Sequence, residues 1–272
     1  MKTGTLLREV RKLRELAANR FRATPILSKL RNDPANVLSL AGLNPDPWQA
    51  ELLRNAPARL LCLNSRQTGK STFGAALALN TALLKPTSLT LLLSPTQRQS
   101  GELFRKTMAL YRSLGKPVSP IQETVLSLEL ANGSRIIALP GNEEGIRGYS
   151  GVALVIIDEA ARARDELHTA VRPMLATSGG RLVGLSTPFG KRGWFFDAWQ
   201  GAGNWHRVTI RADECPRIPS DFLQEERGAM GPRWYAQEYE CDFADAIDSV
   251  FSYQDIHGAL SGDVQPLFGS VV

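Results

Sequence analysis

The chain has 272 residues, 43% of them apolar, and a formal net charge of +5, which suits one large domain with a real core. No apolar stretch nears the roughly 20 residues of a membrane span, and the basic start Met1-Lys2-Thr3-Gly4 leads into charged residues rather than a signal segment. Cys62, Cys215 and Cys241 lack paired spacing, and His168, His206 and His257 are scattered, so a disulfide frame and a zinc site are both disfavoured.

Residues 1–31 carry nine Lys or Arg against two Glu, or +7, which leaves −2 on the rest of the chain. Leu6, Val10, Leu13 and Ala17 fall at helical spacing there, and Pro25 breaks the run. This basic helix either contacts nucleic acid or an acidic partner, or is a solvated surface face. Residues 32–47, with Pro34, Pro45 and Pro47, read as a turn-rich connection.

From there the pattern alternates. Strands are predicted at 59–63, 89–93, 154–157, 182–185 and 206–210, and helices at 70–83, 98–114, 165–175 and 193–200. Asn132-Gly133 signals a hairpin between strands at 125–130 and 135–139. Two helices follow at 219–228 and 232–240, each opening with Pro. The predicted class is α/β, a mostly parallel central sheet with helices on both faces.

The most informative segment is Asn64-Ser65-Arg66-Gln67-Thr68-Gly69-Lys70-Ser71-Thr72, directly after the apolar run Leu60-Leu61-Cys62-Leu63. Between a buried strand and a helix it reads as a phosphate-binding loop of a nucleotide hydrolase, its backbone N–H groups facing phosphate at a helix N-terminus. Lys70 would reach the β- and γ-phosphates and Ser71 would hold Mg²⁺. Asn64 stands where the general pattern has Gly, and Arg66 brings a positive charge into the loop.

Four further segments fit around it. Leu154-Val155-Ile156-Ile157-Asp158-Glu159 brings two acids to the C-terminal end of a strand, where open α/β sheets bind ligands. Asp158 would act on Mg²⁺ and Glu159 as general base toward water. Ser186 and Thr187, before Pro188, would face the γ-phosphate and couple its presence to motion, or simply mark a strand exit. Gln49 has a carboxamide able to bond the donor/acceptor edge of adenine, and Trp48 either packs near the base or fills a hydrophobic gap. Arg147, between Gly145 and Gly148, is displayed to reach a phosphate in a neighbouring subunit, or is an ordinary loop arginine.

In this order the five segments resemble the ATPase domain of the large terminase subunit of tailed bacteriophages. Ser65-Arg66-Gln67-Thr68-Gly69-Lys70-Ser71 is the most specific piece, because that family commonly lacks the first glycine and carries Arg in the loop. Trp48-Gln49, Asp158-Glu159-Ala160-Ala161, Ser186-Thr187-Pro188 and Gln237-Glu238-Tyr239-Glu240-Cys241-Asp242-Phe243 resemble further parts of it. The resemblance covers roughly residues 45–255 and implies a RecA-like P-loop NTPase fold that hydrolyses ATP with Mg²⁺. Its loop, residues 65–72, would bind the nucleotide. Arg66 in the same chain, or Arg147 across a subunit boundary, would supply the arginine at the transferred phosphoryl group.

The implied partners are double-stranded DNA, further copies in a ring on the portal, the portal protein and the small terminase subunit, in the host cytoplasm and without a membrane. The expected division is a basic helical appendage or lid over 1–44, an ATPase core over 45–244, and a linker over 245–272. The family's nuclease carries clustered Asp on strands. Asp245, Asp248, Asp255 and Asp263 do not form that pattern, so no nuclease is expected and the chain reads as a fragment or truncation. A superfamily 2 helicase half shares several segments but needs a second RecA-like domain. A regulatory nucleotide-binding module would have no use for Glu159 beside Asp158.

Overall fold

The computed structural model describes residues 25–141, 143–146, 148–244 and 258. In chain order its regular elements begin with α1 (Pro25–Asn32), α2 (Asn36–Leu40), α3 (Pro47–Asn55), β1 (Arg59–Asn64), α4 (Lys70–Leu84), β2 (Leu89–Ser94) and α5 (Gln97–Ser113). Then come β3 (Pro120–Glu123), β4 (Ser127–Leu130), β5 (Arg135–Pro140), α6 (Glu143–Ile146), β6 (Leu154–Asp158) and α7 (Asp165–Ala176). The remainder is β7 (Arg181–Ser186), α8 (Gly193–Gln200), β8 (His206–Ile210), α9 (Ser220–Met230) and α10 (Pro232–Tyr239).

All eight strands join one sheet in the order β3-β4-β5-β2-β6-β7-β1-β8. Strands β5, β2, β6, β7, β1 and β8 pair parallel, while β3, β4 and β5 pair antiparallel. The central parallel strands β1, β2, β6 and β7 read as near-continuous apolar runs because both faces are covered. Successive side chains alternate between those faces. Leu60, Cys62, Leu92, Leu154, Ile156, Val183 and Leu185 pack in one core with α4 and α5. Leu61, Leu63, Leu91, Leu93, Val155, Ile157 and Leu182 pack in the other with α7 and α8. Gly184 belongs to this second face. A Cβ there would lie 3.2 Å from both Leu61 Cδ2 and Trp194 Cη2, so the missing side chain lets α8 approach β7 closely.

The expected strand positions and the alternating architecture hold, with three differences. The connection over 32–47 contains the short helix α2, whose Val37 and Leu38 are buried in the α4 core beside Leu27 and Leu30 of α1. Five residues are too few for a periodic signal, so only its burial reveals it. Strand β3 was not expected. It lies at the sheet edge with Ile121, Gln122 and Glu123 exposed, and its register on β4 shifts between Pro120 and Gln122. An exposed edge strand has no buried face to write into its sequence. The run expected to break at Pro25 is helical from Pro25 to Asn32 within the described residues; residues 1–24 lie outside them. Helices α9 and α10 close a small cluster of Ala212, Leu223, Tyr235 and Tyr239 beside β8. Among the described residues no helix is long and apolar enough to cross a membrane.

Candidate functional site

The C-terminal ends of β1, β6 and β7 converge on one cavity of about 890 Å³, ample for a small ligand. Strand β1 continues in register through Asn64, which pairs opposite Ile210 of β8. Asn64 thus sits in the strand and has no positive φ. This explains why glycine is dispensable there. The positive φ values fall later, at Gln67 (64°) and Gly69 (91°), where the chain turns into α4. The loop closes on itself through Thr68, whose Oγ1 donates to Ser65 O at 2.9 Å. Ser65 N–H donates to Ile210 O at 2.9 Å. Lys70, Ser71 and Thr72 open α4, and all three line the cavity with Gln67 and Gly69.

The acidic pair lies across from them. Lys70 Nζ is 2.9 Å from Glu159 Oε1. Ser71 Oγ donates to Asp158 Oδ2 at 3.3 Å. Burial pushes the Asp158 carboxyl above its ordinary range, and the Lys70 ammonium opposes that shift. Glu159 sits in the left-handed region (φ 53°, ψ 43°), an uncommon conformation for a non-glycine residue. Its N–H donates to Asp158 Oδ1 at 3.1 Å. The turn re-aims the chain so that Asp158 stays on the strand while Glu159 faces the cavity.

The remaining expected site residues divide. Thr187 is buried and lines the cavity. Ser186 is fully buried and turns elsewhere: its Oγ accepts from Ala161 N–H at 3.0 Å and donates to Thr187 O at 2.7 Å. The hydroxyl thus joins the end of β7 to the turn after Glu159. Trp48 packs on Phe73 of α4, ring centroids 5.4 Å apart. Gln49 lines the cavity with its carboxamide partly committed: Oε1 accepts from Asp46 N–H at 3.0 Å, and Nε2 donates to Gly69 O at 3.1 Å. One N–H and one lone pair remain free for a ligand. Arg66 lines the cavity but its Nε donates to Glu238 of α10, and its own N–H donates to Glu238 O at 3.1 Å. Glu238 raises the pKa of this guanidinium. Arg147 lies outside the described residues.

Two cavity arginines escaped the sequence reading. Arg217 pairs with Asp46 and donates from Nη2 to Thr68 O at 3.1 Å. It is 149 residues away from Thr68 in the chain, so no local pattern announces it. Arg162 ends the 3-10 turn Ala160–Arg162, three residues after Glu159, and reads in sequence as a plain surface charge.

A strand, a glycine-turned loop and a helix beginning Lys-Ser, facing an Asp-Glu strand end on a parallel sheet, define a RecA-like P-loop fold. The family profile described as "Terminase large subunit, T4likevirus-type, N-terminal" matches residues 61–257, and the chain belongs to that family. The terminase large subunit of Escherichia phage T5 is 25% identical over 210 residues, 71% of this chain and 47% of that protein. The chain therefore spans about half the length of this curated relative. The large terminase ATPase domain of Thermus phage P74-26 superposes with TM-score 0.66 at 20% identity, over 76% of this chain and 97% of that one. The large terminase of another thermophilic bacteriophage, solved in complex with ADP, superposes with TM-score 0.58 at 12% identity, over 78% and 53%. Family membership favours a terminase over the superfamily 2 helicase half.

Proposed function

We propose that the chain is the ATPase region of a viral DNA-packaging motor, hydrolysing ATP to drive double-stranded DNA into a procapsid. The observation that carries this reading is the pairing of Lys70 with Glu159 and of Ser71 with buried Asp158, beside the cavity that Lys70, Ser71 and Glu159 line. These are the four groups that ATP·Mg²⁺ hydrolysis needs, already within reach of each other.

Lys70 exchanges Glu159 for the β- and γ-phosphates, and the loop amides beyond Arg66 wrap them. Ser71 and Asp158 supply two hard oxygen donors, which fits Mg²⁺, an ion that takes one or two carboxylates and completes its shell with phosphate and water. Bound there, Mg²⁺ would neutralise charge on the phosphate oxygens. Glu159, released by Lys70, orients water in line with the γ-phosphoryl group. Gln49 offers its free N–H and lone pair to adenine. Arg66 must leave Glu238 to act on the phosphoryl group; otherwise Arg147 acts from a neighbouring copy. Thr187 faces the phosphate end, and Ser186 carries its position to the turn after Glu159.

The proposed division is an appendage over 1–44, a core over 45–244 and a linker over 245–272. The proposed partners are DNA, the portal protein, the small terminase subunit and further copies in a ring, in the host cytoplasm. ATP turnover by the purified chain is expected to require Mg²⁺ and to rise when double-stranded DNA is added. Turnover indifferent to DNA would instead favour a regulatory nucleotide-binding module.

Gly69→Ala tests the loop. At φ 91° a side chain is strained, and its Cβ would come within 2.7 Å of Gln49 Nε2 and 3.3 Å of Arg217 Nη2. The strain is about 1–2 kcal/mol, so affinity for a fluorescent ATP analogue is expected to fall about tenfold, with the far-ultraviolet circular dichroism unchanged.

A further inference from the structure

Arg162 has no part in the scheme above, yet it touches Glu159, which does, and Phe189, which follows the Ser186-Thr187-Pro188 segment. Its Nε lies 3.9 Å from Glu159 Oε2, the carboxylate oxygen that Lys70 does not hold. Its guanidinium carbon sits 3.9 Å over the centroid of the Phe189 ring. Phe189 follows Ser186-Thr187-Pro188 directly and is also approached by Arg192, at 5.5 Å.

The backbone around Arg162 is pinned. Arg162 N–H donates to Glu159 O at 2.9 Å, Ala163 N–H to Ala160 O at 3.2 Å, and Ala161 N–H to Ser186 Oγ at 3.0 Å. The side chain is free by comparison, with about a third of it exposed to the cavity. Glu159 is thus shared between a near cation, Lys70, and a farther one, Arg162. Arg66 also feels the Glu159 charge, but Glu238 holds it.

We propose that Arg162 is a positioning residue that orients Glu159 for catalysis and transmits its movement to the segment beginning at Phe189. This rests on the reading of Glu159 as the base. When Lys70 turns to phosphate, Glu159 loses its closer cation. Arg162 then becomes its principal counter-charge, and the ion pair draws the guanidinium off the Phe189 face. An ion pair in a partly buried cavity outweighs a partly exposed cation–π contact. The phosphate state is thereby written onto Phe189 through one side chain. This route starts from the turn that the Ser186 hydroxyl holds, but it runs through the Arg162 side chain.

The test compares the 272-residue chain with R162A, R162K, F189A, R162A/F189A and E159Q, reading ATP turnover and the Kd of a fluorescent ATP analogue. R162A is expected to lower kcat about tenfold or more while Kd stays within about twofold, the mark of a group acting after binding. R162K keeps the charge near Glu159 and should recover part of the loss, which a merely structural role would not permit. F189A should lower kcat, and the double variant should fall no further than R162A, because both changes break one chain of contacts. Three results would overturn the proposal: R162A with kcat within about twofold of the parent, Kd rising as much as kcat falls, or the two losses multiplying. If E159Q itself retains turnover, the base assignment fails first. If E159Q is inactive and R162A is not, only the role of Arg162 is lost.

Discussion

Glu159→Gln is expected to lower ATP turnover by about 10²–10⁴-fold, the range a positioned general base contributes. ATP affinity should hold or improve. The change conserves shape, and the left-handed turn is held through the main-chain N–H of residue 159, which donates to the Asp158 side chain (Oδ1) at 3.1 Å. The glutamine oxygen can still accept from Lys70, so the cavity keeps its form. What disappears is the charge, and with it the ability to take a proton from water. The ion pair between Lys70 and Glu159 at 2.9 Å must open before Lys70 can hold phosphate. A neutral glutamine loosens that pair, so the variant should trap ATP. Single-turnover kinetics with a binding titration check this; turnover within about tenfold of the parent would remove Glu159 from its role.

Lys70→Ala should act on both steps. A hydrogen bond to a charged group is worth about 1.5–3 kcal/mol, so the ATP Kd should rise about 10- to 100-fold, with turnover lost even at saturation. The variant should also change the protein without nucleotide. Burial already raises the Asp158 carboxyl, and Lys70 is the cation that opposes the shift. Without it that carboxyl rises further. A raised folded-state value favours the protein at low pH and costs stability as pH climbs through it. The variant should therefore melt lower than the parent at neutral pH, with the gap closing on acidification. A melting profile with a constant gap from about pH 7 to about pH 3, which takes in the ordinary carboxylate values, would show that Lys70 does not govern Asp158.

The site was legible where its logic is local. Residues 64–72 carry their own geometry, since a buried strand, a turn and a helix start are consecutive in the chain. Asp158-Glu159 was legible because four apolar residues precede it. The central parallel strands were legible for the same reason, being buried on both faces. The site was not legible where the partner comes from afar. That Gln49 would brace Gly69, that Glu238 would hold Arg66, and that Arg217 would join Asp46 to Thr68 all depend on chain crossings of 20 to 172 residues. Ser186 and Thr187 illustrate the limit within one dipeptide. Ser186 ends β7 and is bonded into the protein, while Thr187, the next residue, faces the cavity. Edge strand β3 and helix α2 were hidden because neither writes a burial pattern long enough to read.

The grip of Glu238 and Arg217 on the phosphate loop has a consequence for dissecting this protein. The loop looks self-sufficient, a short motif between one strand and one helix. Yet two of its residues are fastened from a region about 150 to 170 positions downstream. A piece that keeps both fastenings of the loop is thus nearly as long as the described structure. A fragment cut after β8 would retain every signature residue of the motif but lose both lateral fastenings. Ile210, Gln49 and Thr68 would still hold the loop from within, but the Arg66 side chain and Thr68 O would lack their outer partners.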